Sequence, residues 1–257
     1  MPQVKIGVKA KINKIFIAQV TINIADDDEF LQLAAKAGLK GIFIGFESIT
    51  EKGLLELQKK YNAARKIEFK ASVKKIKKYG LIVLGSFIIG LDIDQKNIGK
   101  IIAKASIHYG IDILNLVLLT PLPGTRLWNK YVSEKRIIAN NFPEDWKYYT
   151  LTYPVTDFKY LSWNDMFDEI TVCLRSFYSY RRIIGRFLRE LVINRKFVTA
   201  LFSIIANISN KRNIKRERKL FKNILFLKES LNNTCKIIHT ARSSLKPNTQ
   251  STIEAVA

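Results

Sequence analysis

The chain is predicted to fold as an α/β protein built on a parallel sheet, and three observations predict it. Four apolar runs, Ile15–Ile24, Gly41–Phe46, Leu81–Ile89 and Ile113–Leu119, start 26, 40 and 32 residues apart, which leaves room for a crossover helix between each pair. The last three barely alternate between apolar and polar residues, as expected for strands covered on both faces. Each intervening segment ends in a glycine (Gly38, Gly80, Gly110), and a strand follows within three residues. Three consecutive units with one grammar argue for parallel pairing through right-handed crossovers.

The elements follow in order. Ile15–Ile24 (IFIAQVTINI) is the first strand. Asp26 is placed to cap the next helix, with Glu29 completing a capping box, and Phe30, Leu33, Ala34 and Ala37 share a face. Thr50 opens a second helical region with two stretches, LLELQKK and RKIEFKASVKKIKKYG. Asp94 opens the third, IGKIIAKASIHYG. After residue 125 the grammar changes. RLWNKYVSEKRII reads as a helix, and NNFPEDWKYYTLTYPVT as an aromatic excursion without a period. From Ser162 onward the spacing is helical through Leu191, with Trp163, Met166, Ile170, Cys173, Leu174 and Phe177 on one face. A basic helical segment spans about 194–228, and the last residues are polar. The expected division is residues 1–125 and 126–257.

Composition sets limits. The 257 residues are 47% hydrophobic and 25% charged, which excludes wholesale disorder. Two cysteines cannot make a disulfide scaffold. The best uncharged apolar run, Phe197–Ile208, is short of the roughly 18 residues of a spanning helix, and the first residues lack the apolar core of a secretory signal. The expected location is the cytoplasm, with a membrane-peripheral position open. The net charge of +21 is concentrated at the end: residues 181–257 carry 17 Lys+Arg against 4 Asp+Glu. Such a tail attracts lipid headgroups or nucleic acid, although Lys on solvated faces explains it as well. Arg181, Arg182, Arg186 and Arg189 are read as part of a solvated face.

In parallel α/β folds, chemistry gathers at the carboxyl ends of the strands. There the sequence places Gln19, Thr21 and Asn23 on the first strand, Glu47 and Ser48 ending the second, and Ser86 within the third. The third ends in Gly90-Leu91-Asp92, and the fourth in Thr120-Pro121-Leu122-Pro123-Gly124-Thr125, a rigid turn suited to lie against a flat ligand. A carboxylate at Glu47 suits ribose hydroxyls or a ligand ammonium; the competing reading is a helix-start carboxylate beside Thr50. Gln19 and Ser86 read equally as ligand contacts or as buried polar groups satisfied by backbone. Cys173 is expected in the core, and Cys235 with His239 is too sparse a pair for a metal site. No metal ligands are assigned.

Four segments in order, QVTINIADDDEFLQL, AGLKGIFIGFES, GLIVLGSFIIGLDID and LLTPLPGTRLW, resemble the radical S-adenosylmethionine enzymes, specifically their cobalamin-binding-domain branch. EDWKYYT and FYSYRR resemble that branch's region after the barrel, so the resemblance runs from about Lys14 to Arg189. It implies a partial (β/α) barrel of about four parallel strands, matching the third to sixth of the family, followed by an α-helical C-terminal extension. It implies S-adenosylmethionine and a 4Fe-4S cluster as cofactors, with cobalamin assisting methyl transfer in some full-length relatives. Gln19, Glu47, Ser86, Thr120 and Pro123 fall in segments that line the family's cofactor site.

One departure is decisive for activity. The family's C-x3-C-x-x-C cluster motif is absent, and Cys173 and Cys235 are 62 residues apart. The chain therefore reads as the distal half of such an enzyme, inactive alone. Its expected partner is the missing half, or a second chain covering the open barrel edge. The alternative is a non-enzymatic binding module whose basic helical tail holds anionic lipid or nucleic acid.

Overall fold

The architecture comes from a computed structural model, which describes residues 14–58, 68–193, 197, 200–201, 203–216 and 219–223. The four apolar runs form one sheet of parallel strands: β1 (Phe16–Val20), β2 (Leu39–Glu47), β3 (Ile82–Ile89) and β4 (Ile113–Leu118). Their order in the sheet is their order in sequence. Each crossover therefore steps the chain in the same direction. Because crossovers share one hand, the connecting helices fall on one face and leave the other open. This is the winding of a barrel segment, not of a doubly wound sheet.

The connecting helices are α1 (Asp28–Lys36), α2 (Glu51–Glu56), α3 (Phe69–Lys78) and α4 (Ile98–Tyr109). On the covered face, Ile42, Ile44, Phe46, Val83 and Phe87 are essentially inaccessible. Phe46 stacks on Phe87 at 5.5 Å and meets Phe69 of α3 edge-on at 5.1 Å, with Tyr109 of α4 at 5.9 Å. Such aromatic pairs add roughly 0.5–1.5 kcal/mol each beyond their buried area. Beneath them Lys77 is buried against Asp112 and Glu190. Burial opposes the lysine's charge, but the two carboxylates outweigh it and hold its pKa above the ordinary value.

Beyond the sheet lie α5 (Arg126–Ser133), α6 (Trp163–Phe177) and α7 (Tyr180–Leu188), which continues into a π turn at Arg189–Ile193. A single turn of 3-10 helix, Glu144–Tyr148, lies in the aromatic excursion. Residues 203–216 are helical. All described residues up to Arg216 belong to one compact unit. The post-sheet segment closes the β4 side. The Tyr178 hydroxyl donates to Leu114 O at 2.9 Å and accepts from Leu114 N at 3.0 Å, and Leu118 N donates to Leu151 O. At the β1 side Ile15 and Ile17 are more than 60% exposed.

Local differences from the sequence reading have physical causes. The first strand ends at Val20, and Ile22–Asp26 forms a 3-10 turn that buries Ile22 and Ala25. The α1 cap is Asp27, whose carboxylate accepts from Phe30 N, rather than Asp26. Asp94 does not cap α4. Its carboxylate turns back to the Gly90 and Leu91 amides, while Glu169 of α6 accepts from Asn97 N and Gly99 N at the helix start. The helical pattern from Ser162 breaks at Tyr178–Ser179 into α6 and α7. Two readings agree: Thr50 caps α2, and α4 ends at Gly110 in the left-handed region. Thr125 also caps α5, and Ser162 closes a capping box with Asp165 at the start of α6.

Candidate functional site

Alternate residues of each strand face the uncovered side, and they converge on a cleft of about 1010 Å³. Gln19 comes from β1, Phe43, Gly45 and Glu47 from β2, Ser86 and Ile88 from β3, and Asn115 and Val117 from β4. Thr21 and Asn23 enter from the turn after β1, and Leu119, Thr120, Leu127 and Leu151 from the far rim. Most polar groups come from the β1–β3 side; Asn115 on β4 and Thr120 on the otherwise apolar far rim add to them.

Glu47 is the most unusual member. It ends β2 with φ of +66°, where a non-glycine residue is disfavoured by about 1–2 kcal/mol. The β2–β3 register shifts between Gly45 and Glu47, so the strand bulges there and re-aims the side chain. The carboxylate folds over Gly45, in the space that a Cβ at position 45 needs. Gly45 is therefore the residue that lets this acid lie against the sheet at the strand's carboxyl end.

Ser86 is buried and pairs in register with Asn115, whose side-chain amide donates to its hydroxyl at 3.0 Å. Of its two readings, a hydrogen-bonded polar group in the sheet is directly visible; it also lines the cleft. Gln19 is exposed on the open face. Thr120 reaches the rim, but its hydroxyl donates to Leu118 O at 3.1 Å. Pro123 does not line the cleft. It sits in the turn that ends with Thr125, whose N–H and hydroxyl both donate to Leu122 O before its side chain caps α5. The structure thus brings Gln19, Glu47, Ser86 and Thr120 together and leaves Pro123 outside. Asn115 and Gly45 join them; Asn115 is a polar break in an apolar run (ILNLVLL), the same signal that singled out Ser86.

The rim is fastened by charge. Asp92 accepts from Lys130 at 2.8 Å and from the Tyr131 hydroxyl at 3.2 Å, and pairs with Arg136 at 2.7 Å. Burial works against the Asp92 charge, but Arg136 and Lys130 outweigh it and hold the carboxyl at about 2. Asp92 thus ties α5 to the β3 exit. Asp94, nearly inaccessible, is pushed up to about 6 by burial, which the Gly90 and Leu91 amides only partly offset.

The residues present do not fit an iron–sulfur cluster. Cys173 is buried in α6 with its thiol pushed up to about 12 by burial, the opposite of a metal-ready thiolate. Cys235, His239 and the basic tail lie outside the described residues. Among the described residues no three His, Cys, Asp or Glu side chains are placed to share a metal ion, and no helix is long and apolar enough to cross a membrane.

No family model matches the chain. Similar proteins are methyltransferases. The hopanoid C-2 methylase of Rhodopseudomonas palustris is 26% identical over 208 residues, 81% of this chain and 37% of its own length. An uncharacterised methyltransferase of Synechocystis is 31% identical over 123 residues, 48% of this chain and 23% of its own. The bacteriochlorophyllide d C-12(1)-methyltransferase of Chlorobaculum tepidum is 26% identical over 177 residues, covering 69% and 37%. The chain therefore spans between 23% and 37% of the length of these curated relatives.

Proposed function

We propose that the cleft is the S-adenosylmethionine- and substrate-facing half of a radical S-adenosylmethionine methyltransferase barrel. The observation that carries this reading is Glu47. An acid held in disfavoured backbone at the carboxyl end of a parallel strand, beside a glycine that makes room for it, is what ligand binding selects and stability alone does not. The order of the four motifs and the methyltransferase relatives support it.

In this reading the Glu47 carboxylate accepts hydrogen bonds from the cofactor's ribose hydroxyls or pairs with its ammonium. Phe43, Ile88 and Val117 wall the site from water, and Gln19, Ser86 with Asn115, and Thr120 orient polar edges. The bound cofactor supplies the group-transfer chemistry. Because these residues do not fit a cluster, its ligands are proposed to lie outside the 257 residues, which by themselves are proposed to be inactive. The exposed Ile15, Phe16 and Ile17 along β1 are where the complementary strands dock, and the cytoplasm is the proposed location. Any cobalamin belongs with that complementary part.

Calorimetry with S-adenosylmethionine tests the reading without requiring turnover. The chain is expected to bind it, and Glu47→Gln to weaken binding about tenfold or more, the worth of one charge-assisted hydrogen bond. Absence of binding, or equal binding by the variant, overturns it. Anaerobic reconstitution with iron and sulfide is expected to give no stoichiometric cluster by electron paramagnetic resonance; a cluster here refutes the claim of inactivity.

A further inference from the structure

A second cavity, of about 310 Å³, opens where α4 leads into β4, at the opposite end of the strands from the cleft mouth. Its floor is apolar, from Ile107 and Ile111, and its wall is one side of α7 and the residue after it: Arg181, Arg182, Gly185, Arg186 and Arg189. Four arginines and no acidic residue line it. The nearby acids Asp112 and Glu190 are both engaged by Lys77. No ion pair joins Arg181, Arg182 or Arg189 to an acid among the described residues.

Arg186 does not lie on the solvated face that the sequence suggests. It is 5% exposed, donates to Phe177 O and to the Asn207 side chain, and lies 4.2 Å over the Phe177 ring. These hydrogen-bond partners are neutral, and the one acid whose field reaches the guanidinium, Asp112, is engaged by Lys77 and does not outweigh the cost of burial. Burial pulls its pKa down to about 10 against the opposing effect of Tyr178 and Asp112, with Arg189 and Arg182 as like charges adding to the burial. Arg181 and Arg182 also occupy the first turn of α7, where the helix dipole favours anions and no acidic residue stands.

Gly185 supplies an independent observation. A glycine inside a helix is worse than alanine by about 1 kcal/mol, and crowding usually explains it. Here nothing lies within 4 Å of an added Cβ. Gly185 lines the cavity, so a side chain added there would meet open space rather than packed neighbours.

We propose that this cavity binds a phosphate-type dianion: a phosphomonoester or diphosphate group, gripped by Arg181, Arg182 and Arg189 above the fixed charge of Arg186. Guanidinium forks match phosphate oxygens two at a time, and the anion relieves repulsion among the four cations. The site stands apart from the cleft and does not depend on the function proposed for it.

The test uses the full chain at low salt, with thermal melting read against inorganic pyrophosphate, and flotation with neutral vesicles or vesicles containing phosphatidate. Pyrophosphate is expected to raise Tm saturably. Arg182→Gln/Arg189→Gln is expected to weaken the apparent Kd about tenfold or more. Gly185→Leu, which favours the helix but fills the cavity, is expected to abolish the ligand-induced shift. A pyrophosphate response alone assigns a soluble phosphate compound. A phosphatidate response lost in the same variants assigns a lipid headgroup. No response to either, or a response that both variants keep, overturns the proposal.

Discussion

The two faces of the sheet are made by alternate residues of the same strands, yet they follow different rules. On the helix-covered face Phe46, Phe87, Ile44 and Ile89 are fully buried and fitted against α3 and α4. On the open face Phe43, Glu47, Ile88 and Val117 are half-buried, Gln19 is exposed, and a bulge holds one residue in disfavoured backbone. Stability resides on the first face, and the second is the one proposed to carry ligand chemistry. A sheet wound in one direction separates them because its crossovers can cover only one side.

The largest effect expected from breaking this contrast comes from neighbours on β3. Phe87→Ala removes a fully buried ring stacked on Phe46 and is expected to destabilise by about 3–5 kcal/mol. Ile88→Ala, one residue on and half-buried in the cleft, is expected to stay under about 1.5 kcal/mol. Urea unfolding measures both, and equal losses mean that the open face is core as well.

Next is the buried lysine beneath the packed face. Lys77→Met strands Asp112 and Glu190 without their cation, an expected loss of about 3 kcal/mol or more. Adding Asp112→Asn should recover part of it. If the single variant is neutral, the pair contributes no stability and the packed face rests on its aromatic residues alone.

How much of this was legible in the sequence divides along the same line. Apolar runs and glycine stops fix β2, β3, β4 and α4 because burial on both sides and left-handed caps leave local signatures. Ile22 and Ile24 misled: β-branched residues extend the first strand on paper, but a single turn from Ile22 buries Ile22 and Ala25, three residues apart. Asp94 resembles a cap, yet Glu169 occupies that role from 70 positions away, and no local pattern reveals a partner so distant. The same holds for Arg186, buried only because Phe177 and Asn207 meet it. In the cleft, polar breaks in apolar strands pointed to Gln19 and Ser86. Turn chemistry marked Pro123 without telling which residues of the turn face the cleft.

Asp94 offers a pH handle on the boundary between the faces. Its folded pKa of about 6 lies above the ordinary 3.8, so the folded state takes up the proton first. The group's penalty on folding is present above about pH 6 and disappears as pH falls toward 4, a gain of up to about 3 kcal/mol. Asp94→Asn keeps an oxygen for the Gly90 and Leu91 amides and is never charged. The variant is expected to exceed wild type in stability at pH 7.5 and to match it near pH 4. A difference between the two that does not change with pH excludes Asp94 as the titrating group.

The smallest effect sharpens the comparison most, because it sets the two faces' demands against each other at one position. Glu47→Gly removes a side chain from backbone at φ +66° and should stabilise by about 1 kcal/mol, read as a higher urea midpoint. The same change deletes the carboxylate proposed to hold S-adenosylmethionine, so affinity should fall while stability rises. Glu47→Ala separates the two causes: it loses the carboxylate but keeps a Cβ in the left-handed region, and so should lose affinity without the gain in stability. If Glu47→Gly instead unfolds at lower urea, the carboxylate is a fastener of the β2 bulge. The open face would then obey the same rule as the packed one at the very residue on which the functional reading stands.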